Sequence, residues 1–208
     1  TGKGHLTDVS LKEAADKIPL EIKWDITTKT DHPNTMDIVG LDENKKLIEK
    51  VRVISQGGGS FTIIGYDVNA NNKVFPHSTF KEIKKYCADN NLTLVDYVKK
   101  FDPKGYAYLP EVLKAMDHSV EEGLNGEGPF NGPIKISKQT KKILTNLKKR
   151  NFPKDSIYYA MAYGYSAAEI NVLHGNVVTA PTLGSAGVFP GVLYYCRHHL
   201  GYNEPQLL

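Results

Sequence analysis

The hydrophobic period changes once along this chain, between Phe75 and Ser78. Before that point, β-branched and apolar residues alternate in short runs: IKWDITTK from Ile22, TMDIVGLD from Thr35, KLIEKVRVIS from Lys46 and SFTIIGYDV from Ser60. Alternation of this kind suits strands, and the turn residues of LDENKKL predict a hairpin between the second and third runs. A short helix is predicted from Leu11 to Lys17. After the change, apolar residues recur at helical spacing. Thr79 and Glu82 have the form of a capping box ahead of FKEIKKYCADN, in which each side chain satisfies a free amide of the first turn. Further helices are predicted at TLVDYVKKF, PEVLKAMDHSVEEGL, SKQTKKILTNLKKR and DSIYYAMAYGYSAAEINVL. The expected fold class is α+β, with a strand-rich mixed α/β N-terminal part (1–76) and a mostly α-helical C-terminal part (77–208).

A chain of 208 residues can bury about 70 % of the surface its unfolded form exposes, so it needs no covalent staples. Cys87 and Cys196 are the only cysteines and stand far apart, a usage that fits a reducing, cytoplasmic setting. The formal charge of +3 is too mild to specify nucleic acid, and aromatic and basic residues do not interleave as a single-strand platform requires. Nor does any apolar run reach the ~18 residues of a membrane span. A small-molecule partner is the expectation.

Five motifs could carry chemistry. TGKGHLTD places Lys3, His5 and Asp8 around two glycines, where missing side chains let an anion reach backbone amides; a polar turn capping the next helix is the competing reading. DHPN holds His32 in extended backbone, since Pro33 disfavours helix before it. SQGGGS, with Ser55 and Gly57, Gly58 and Gly59, could cradle a phosphate, but a cradle should open a helix and here a strand follows, which favours a β-bulge or backbone crossing. EGPFNGPIKI fixes a rigid loop before a basic helix whose Ile136, Ile143, Leu144 and Leu147 share one face. TAPTLGSAG offers hydroxyls at Thr179, Thr182 and Ser185 and close backbone approach at Gly184 and Gly187, ahead of a helix that could meet a carboxylate. A tight helix-to-helix connection packed by small residues explains the same pattern equally well.

Taken in order, TGKGHLTD, DHPN, SQGGG, EGPFNGPIKI and VVTAPTLGSAGVFPGVLYY resemble the iron-sulfur L-serine dehydratases (L-serine ammonia-lyases) in their single-chain or fused form. The resemblance implies a β-chain-like domain over 1–76, the start of an α-chain-like catalytic domain over 77–208, a homodimer, and conversion of L-serine to pyruvate and ammonia. In that family a four-iron four-sulfur cluster with one open iron acts as Lewis acid on the substrate hydroxyl. Carried over by motif, the family's catalytic groups fall on Lys3, His5, Ser55, Thr182 and Ser185, and its substrate-binding glycines on Gly57, Gly58, Gly59, Gly184 and Gly187. The family's first cluster cysteine falls on Ala186, whose methyl has no lone pair for iron. The remaining ligands and a family substrate motif find no match, so the chain reads as truncated at both ends, inactive alone and without a cluster. Two other functions are open: a cluster-less module that binds a small amino acid, and a pyridoxal-phosphate lyase with Lys3 as the Schiff-base residue.

Overall fold

A computed structural model describes residues 7–57, 60–67, 74–130, 137–173, 175–179 and 183–208. The first helix, α1, spans Thr7–Ala15. It lies earlier than Leu11 to Lys17 because Asp16 takes a left-handed conformation (φ 50°) and ends it. IKWDITTK is not a strand. Asp25 takes hydrogen bonds from the amides of Thr27 and Thr28, both at 2.9 Å, a local turn that outcompetes extended pairing.

The other alternating runs form an antiparallel sheet of β1 (Thr35–Leu41), β2 (Leu47–Gly57) and β3 (Ser60–Ile63), in that order. Asp42 builds the predicted hairpin turn: its carboxylate accepts from Asn44 N at 2.9 Å and Lys46 N at 2.8 Å, and Lys45 supplies the positive φ of 62°. Asp37 lies opposite Arg52 and is held by it through two hydrogen bonds, at 2.7 and 2.9 Å, with Lys50 at 3.0 Å. The Arg52 hydrogen bond, then Lys50, holds the Asp37 carboxyl far below the usual carboxylate range. Ladder pairs like this fix register more than they add stability on an exposed face.

Helices α2 (Phe80–Asp89) and α3 (Leu94–Phe101) both open on capping boxes, Thr79 with Glu82 and Thr93 with Asp96. They enclose an aromatic cluster of Phe75, His77, Tyr86, Tyr97 and Phe101, and His77 Nδ1 lies 2.9 Å from the Tyr97 hydroxyl. Helix α4 runs Pro103–Leu124, starting seven residues ahead of the expected Pro110. Asp102 caps it by accepting from Gly105 N at 2.8 Å, and Pro103 suits the first turn, where no amide is needed. Pro110 is carried inside the helix. Next come α5 (Thr140–Lys149), α6 (Ile157–Val172), α7 (Val188–His199) and the short α8 (Glu204–Leu207).

Helix α6 is the centre of the helical body and packs against α4, α5 and α7. Its Tyr159, Ala160, Tyr163 and Ala167 share the core with Val120, Leu147, Tyr194 and Tyr195. Glycine permits the two closest crossings. A Cβ on Gly123 of α4 would sit 2.3 Å from Ser166 O, and one on Gly191 of α7 would sit 2.3 Å from Gly164 N. Among the described residues, no strand packs extensively on a helix.

At the C-terminal end of α7, His199 is wedged among Tyr159, Tyr163 and Tyr195. Its Nε2 lies 2.7 Å from the Tyr163 hydroxyl, and its Nδ1 meets Lys154 O. A carbonyl can only accept, so Nδ1 carries the proton and Nε2 accepts from Tyr163. Burial, then neighbouring Tyr194 and Tyr159, pushes the Tyr163 phenol up to about 12. A phenol whose pKa is raised on folding stabilises the fold below its unfolded value, and that stability is lost as pH climbs through the folded one. Denaturant midpoints measured between pH 10 and 12 should therefore fall, and Tyr163→Phe should flatten the fall.

Candidate functional site

The turn that connects α6 to α7 ends in one turn of 3-10 helix, Leu183–Ser185, followed by Ala186 and Gly187. Gly187 is the N-cap of α7, and no side chain caps that helix. A Cβ on Gly187 would meet Gly164 O at 2.7 Å and the Ala168 methyl at 3.0 Å. The close approach that glycine allows here is therefore to α6. Ala186 is completely buried, Ser185 half-buried and Gly184 exposed. Gly184 and Gly187 line a groove of about 390 Å³ between α6 and α7.

The other site residues are dispersed or undescribed. Lys3, His5, Gly58, Gly59 and Thr182 lie outside the described residues. Ser55 is in β2, opposite Phe61, with its amide donated to Asn34 O at 3.0 Å. Gly57 takes φ 84°, a value that favours glycine, and pairs with Ser60 across an irregularity in the register. Gly57 thus closes β2 beside its pairing with the start of β3. His32 accepts from Asn34 N at Nδ1, 3.1 Å away, and its carbonyl takes the Thr35 hydroxyl at 2.6 Å, so it braces the entry to β1.

One buried carboxylate escaped the motif reading. Glu169 on α6 is 5 % exposed, and its Oε1 accepts from Gln139 N at 2.5 Å and Thr140 N at 3.1 Å, capping α5 from a neighbouring helix. Among the described residues, its Oε2 and the buried Thr140 Oγ1 have no hydrogen-bond partner. A lone charged residue in the otherwise uncharged run IYYAMAYGYSAAEINV was the available signal.

The resemblance puts the family's first cluster cysteine at position 186, where this chain has alanine. An alanine methyl in a sealed environment offers iron nothing. Cys196 is on α7, packed against the core, and Cys87 is buried on α2 with its Sγ 3.8 Å from Thr93 O. Among the described residues, no three His, Cys, Asp or Glu side chains are grouped to hold a metal ion. Among the described residues, the donors present do not make up the ligand set of an iron-sulfur cluster.

Residues 28–208 match the family model of the serine dehydratase alpha chain. The chain belongs to the serine dehydratase alpha chain family. L-serine dehydratase of Haemophilus influenzae is 27 % identical over 191 residues, covering 85 % of this chain and 42 % of that protein. L-serine dehydratase 1 of Escherichia coli is 24 % identical over 189 residues, with the same shares, and L-serine dehydratase of Helicobacter pylori is 25 % identical over 203 residues, 89 % of this chain and 44 % of that protein. The serine dehydratase chain described here thus spans less than half the length of these curated relatives. The alpha-chain match crosses the change of period and takes in the sheet as well as the helices. No described helix is long and apolar enough to cross a membrane.

Proposed function

We propose that this chain comes from an L-serine ammonia-lyase, a cytoplasmic enzyme of amino-acid metabolism that turns L-serine into pyruvate and ammonia, and that the 208 residues alone bind substrate without turning it over. The alpha-chain match over residues 28–208 supports the lineage, and the buried alanine at 186 is the observation that carries the loss of turnover. L-serine presents a carboxylate, an ammonium and a hydroxyl. The N-terminus of α7, which no side chain among the described residues caps, suits the carboxylate, because the positive end of the helix dipole favours negative charge. Ser185 and Thr182, with Lys3 and His5 on their glycine-flanked segment, are the groups assigned to the remaining polar contacts, and Gly184 and the glycines at 57–59 keep the approach open. A cluster, where one is bound, supplies the Lewis acid for departure of hydroxide; with alanine at 186 we assign this chain none. The fold's two parts meet at 76/77 in this reading, which the lack of extensive strand-to-helix packing supports.

Titration calorimetry with L-serine tests the binding half. We expect saturable binding, weakened about tenfold or more by His5→Ala with little change in melting temperature, since a substrate-facing histidine contributes to binding and little to packing. Absence of any L-serine binding contradicts the proposal, and a large drop in melting temperature for His5→Ala returns that residue to a structural role.

A further inference from the structure

Three lysines converge on an open recess of about 420 Å³ outside the α6–α7 connection. Gly126, Glu127 and Gly128, in the turn that follows α4, form one wall of it. Lys138, just ahead of α5, lines the other wall with Lys141 and Lys142 of that helix, and spacings of three and four put them on one side. The backbone holds the two walls together. Lys138 N donates to Gly128 O at 3.1 Å, Pro129 pairs with Ser137, and Gly128 supplies the positive φ of 85°.

The charges in this recess do not balance. Glu127 pairs with Lys141, and among the described residues Lys138 and Lys142 have no ion pair or side-chain hydrogen bond. Lys138 is nonetheless half-buried. A Cβ on Gly126 would sit 3.0 Å from its Nζ, so the missing side chain makes room for the ammonium against the turn. A cation held there gives up water and gains no partner for it. Lys141 and Lys142 also stand in the first turn of α5, which contains no acidic residue, and cations at that end oppose the helix dipole. Both features cost the fold stability. An anion in the recess offsets both.

We propose that this recess is an anion site that takes a phosphate group, free or carried on a small ester. With Glu127 set against Lys141, the positive charge of Lys138 and Lys142 remains, which matches a dianion better than a carboxylate. Lysine ammonium groups serve phosphate as point charges and need no fixed bidentate geometry. Glu127 acts as an internal competitor, since its carboxylate already holds one of the three lysines. The site is separate from the contacts proposed for L-serine and does not depend on them.

The test titrates the intact 208-residue chain with inorganic phosphate and, separately, with glycerol phosphate, at constant ionic strength, and follows backbone amide shifts by NMR. We expect saturable shifts centred on Gly126 to Gly128 and on Lys138 to Lys142, and the tighter of the two probes identifies the source of the phosphate. Lys142→Ala, an exposed position, should weaken binding about tenfold, as should Lys138→Ala, the size of effect for a charge-assisted contact. Glu127→Gln should strengthen it about threefold by freeing Lys141. Lys148→Ala and Lys149→Ala, at the other end of α5, should leave it unchanged. Absence of saturation with either probe overturns the proposal, and so does equal binding of acetate. Equal losses from the Lys148 and Lys149 variants also overturn it, because they would show a diffuse basic face suited to an extended polyanion. Weaker binding by Glu127→Gln would remove Glu127 as a competitor and overturn the arrangement proposed.

Discussion

Gly191→Ala should destabilise the helical body by about 3 kcal/mol, the upper end for overpacking a tight contact, while Gly164→Ala across the same crossing should cost little. The asymmetry comes from which way each missing Cβ would point. On Gly191 it would lie 2.3 Å from Gly164 N and 2.6 Å from Gly164 Cα, so two helix backbones must part. On Gly164 the nearest heavy atom outside its own helix is Gly187 O at 3.6 Å, an ordinary contact. Alanine there also gains up to about 1 kcal/mol of helix propensity over glycine. Urea unfolding followed by circular dichroism at 222 nm measures both. Equal losses for the two variants would mean that the helices do not cross as described.

Glu169→Ala should cost about 2–4 kcal/mol, and Glu169→Gln less than about 1 kcal/mol, in the same assay. Oε1 of Glu169 is the acceptor for the amides of Gln139 and Thr140. Both belong to the first turn of α5, whose N-cap Gln139 makes no side-chain cap. Alanine would leave two donors unpaired in a place with little water, whereas glutamine keeps a carbonyl oxygen in position for both amides. A glutamine variant as unstable as the alanine variant would show that α5 depends on the negative charge itself.

Where the pattern was local, the sequence reading succeeded. The capping box at Thr79, the Asp42 turn and the strands from Thr35, Leu47 and Ser60 each depend on residues a few positions apart, and they formed where expected. IKWDITTK has strand composition, yet the Asp25 turn claimed its amides. The early start of α4 was hidden by the helix-breaking reputation of Pro110; the Asp102–Pro103 pair was the real start signal. Glycine was ambiguous by nature. Close approach to a ligand and close approach to another helix require the same absent side chain, and only the crossing partners reveal that Gly187 and Gly191 serve α6. Glu169 lay beyond motif reading because its partners are about 30 positions away in sequence.

The proposed loss of turnover turns on position 186, and one reconstitution tests it. The chain is incubated with iron and sulfide without oxygen, desalted, and measured for iron content and for pyruvate formed from L-serine in a coupled assay. The account expects a folded, colourless protein with far less than one cluster's iron per chain and no pyruvate above background. About four irons per chain, the complement of a 4Fe-4S cluster, together with turnover of L-serine, would contradict it.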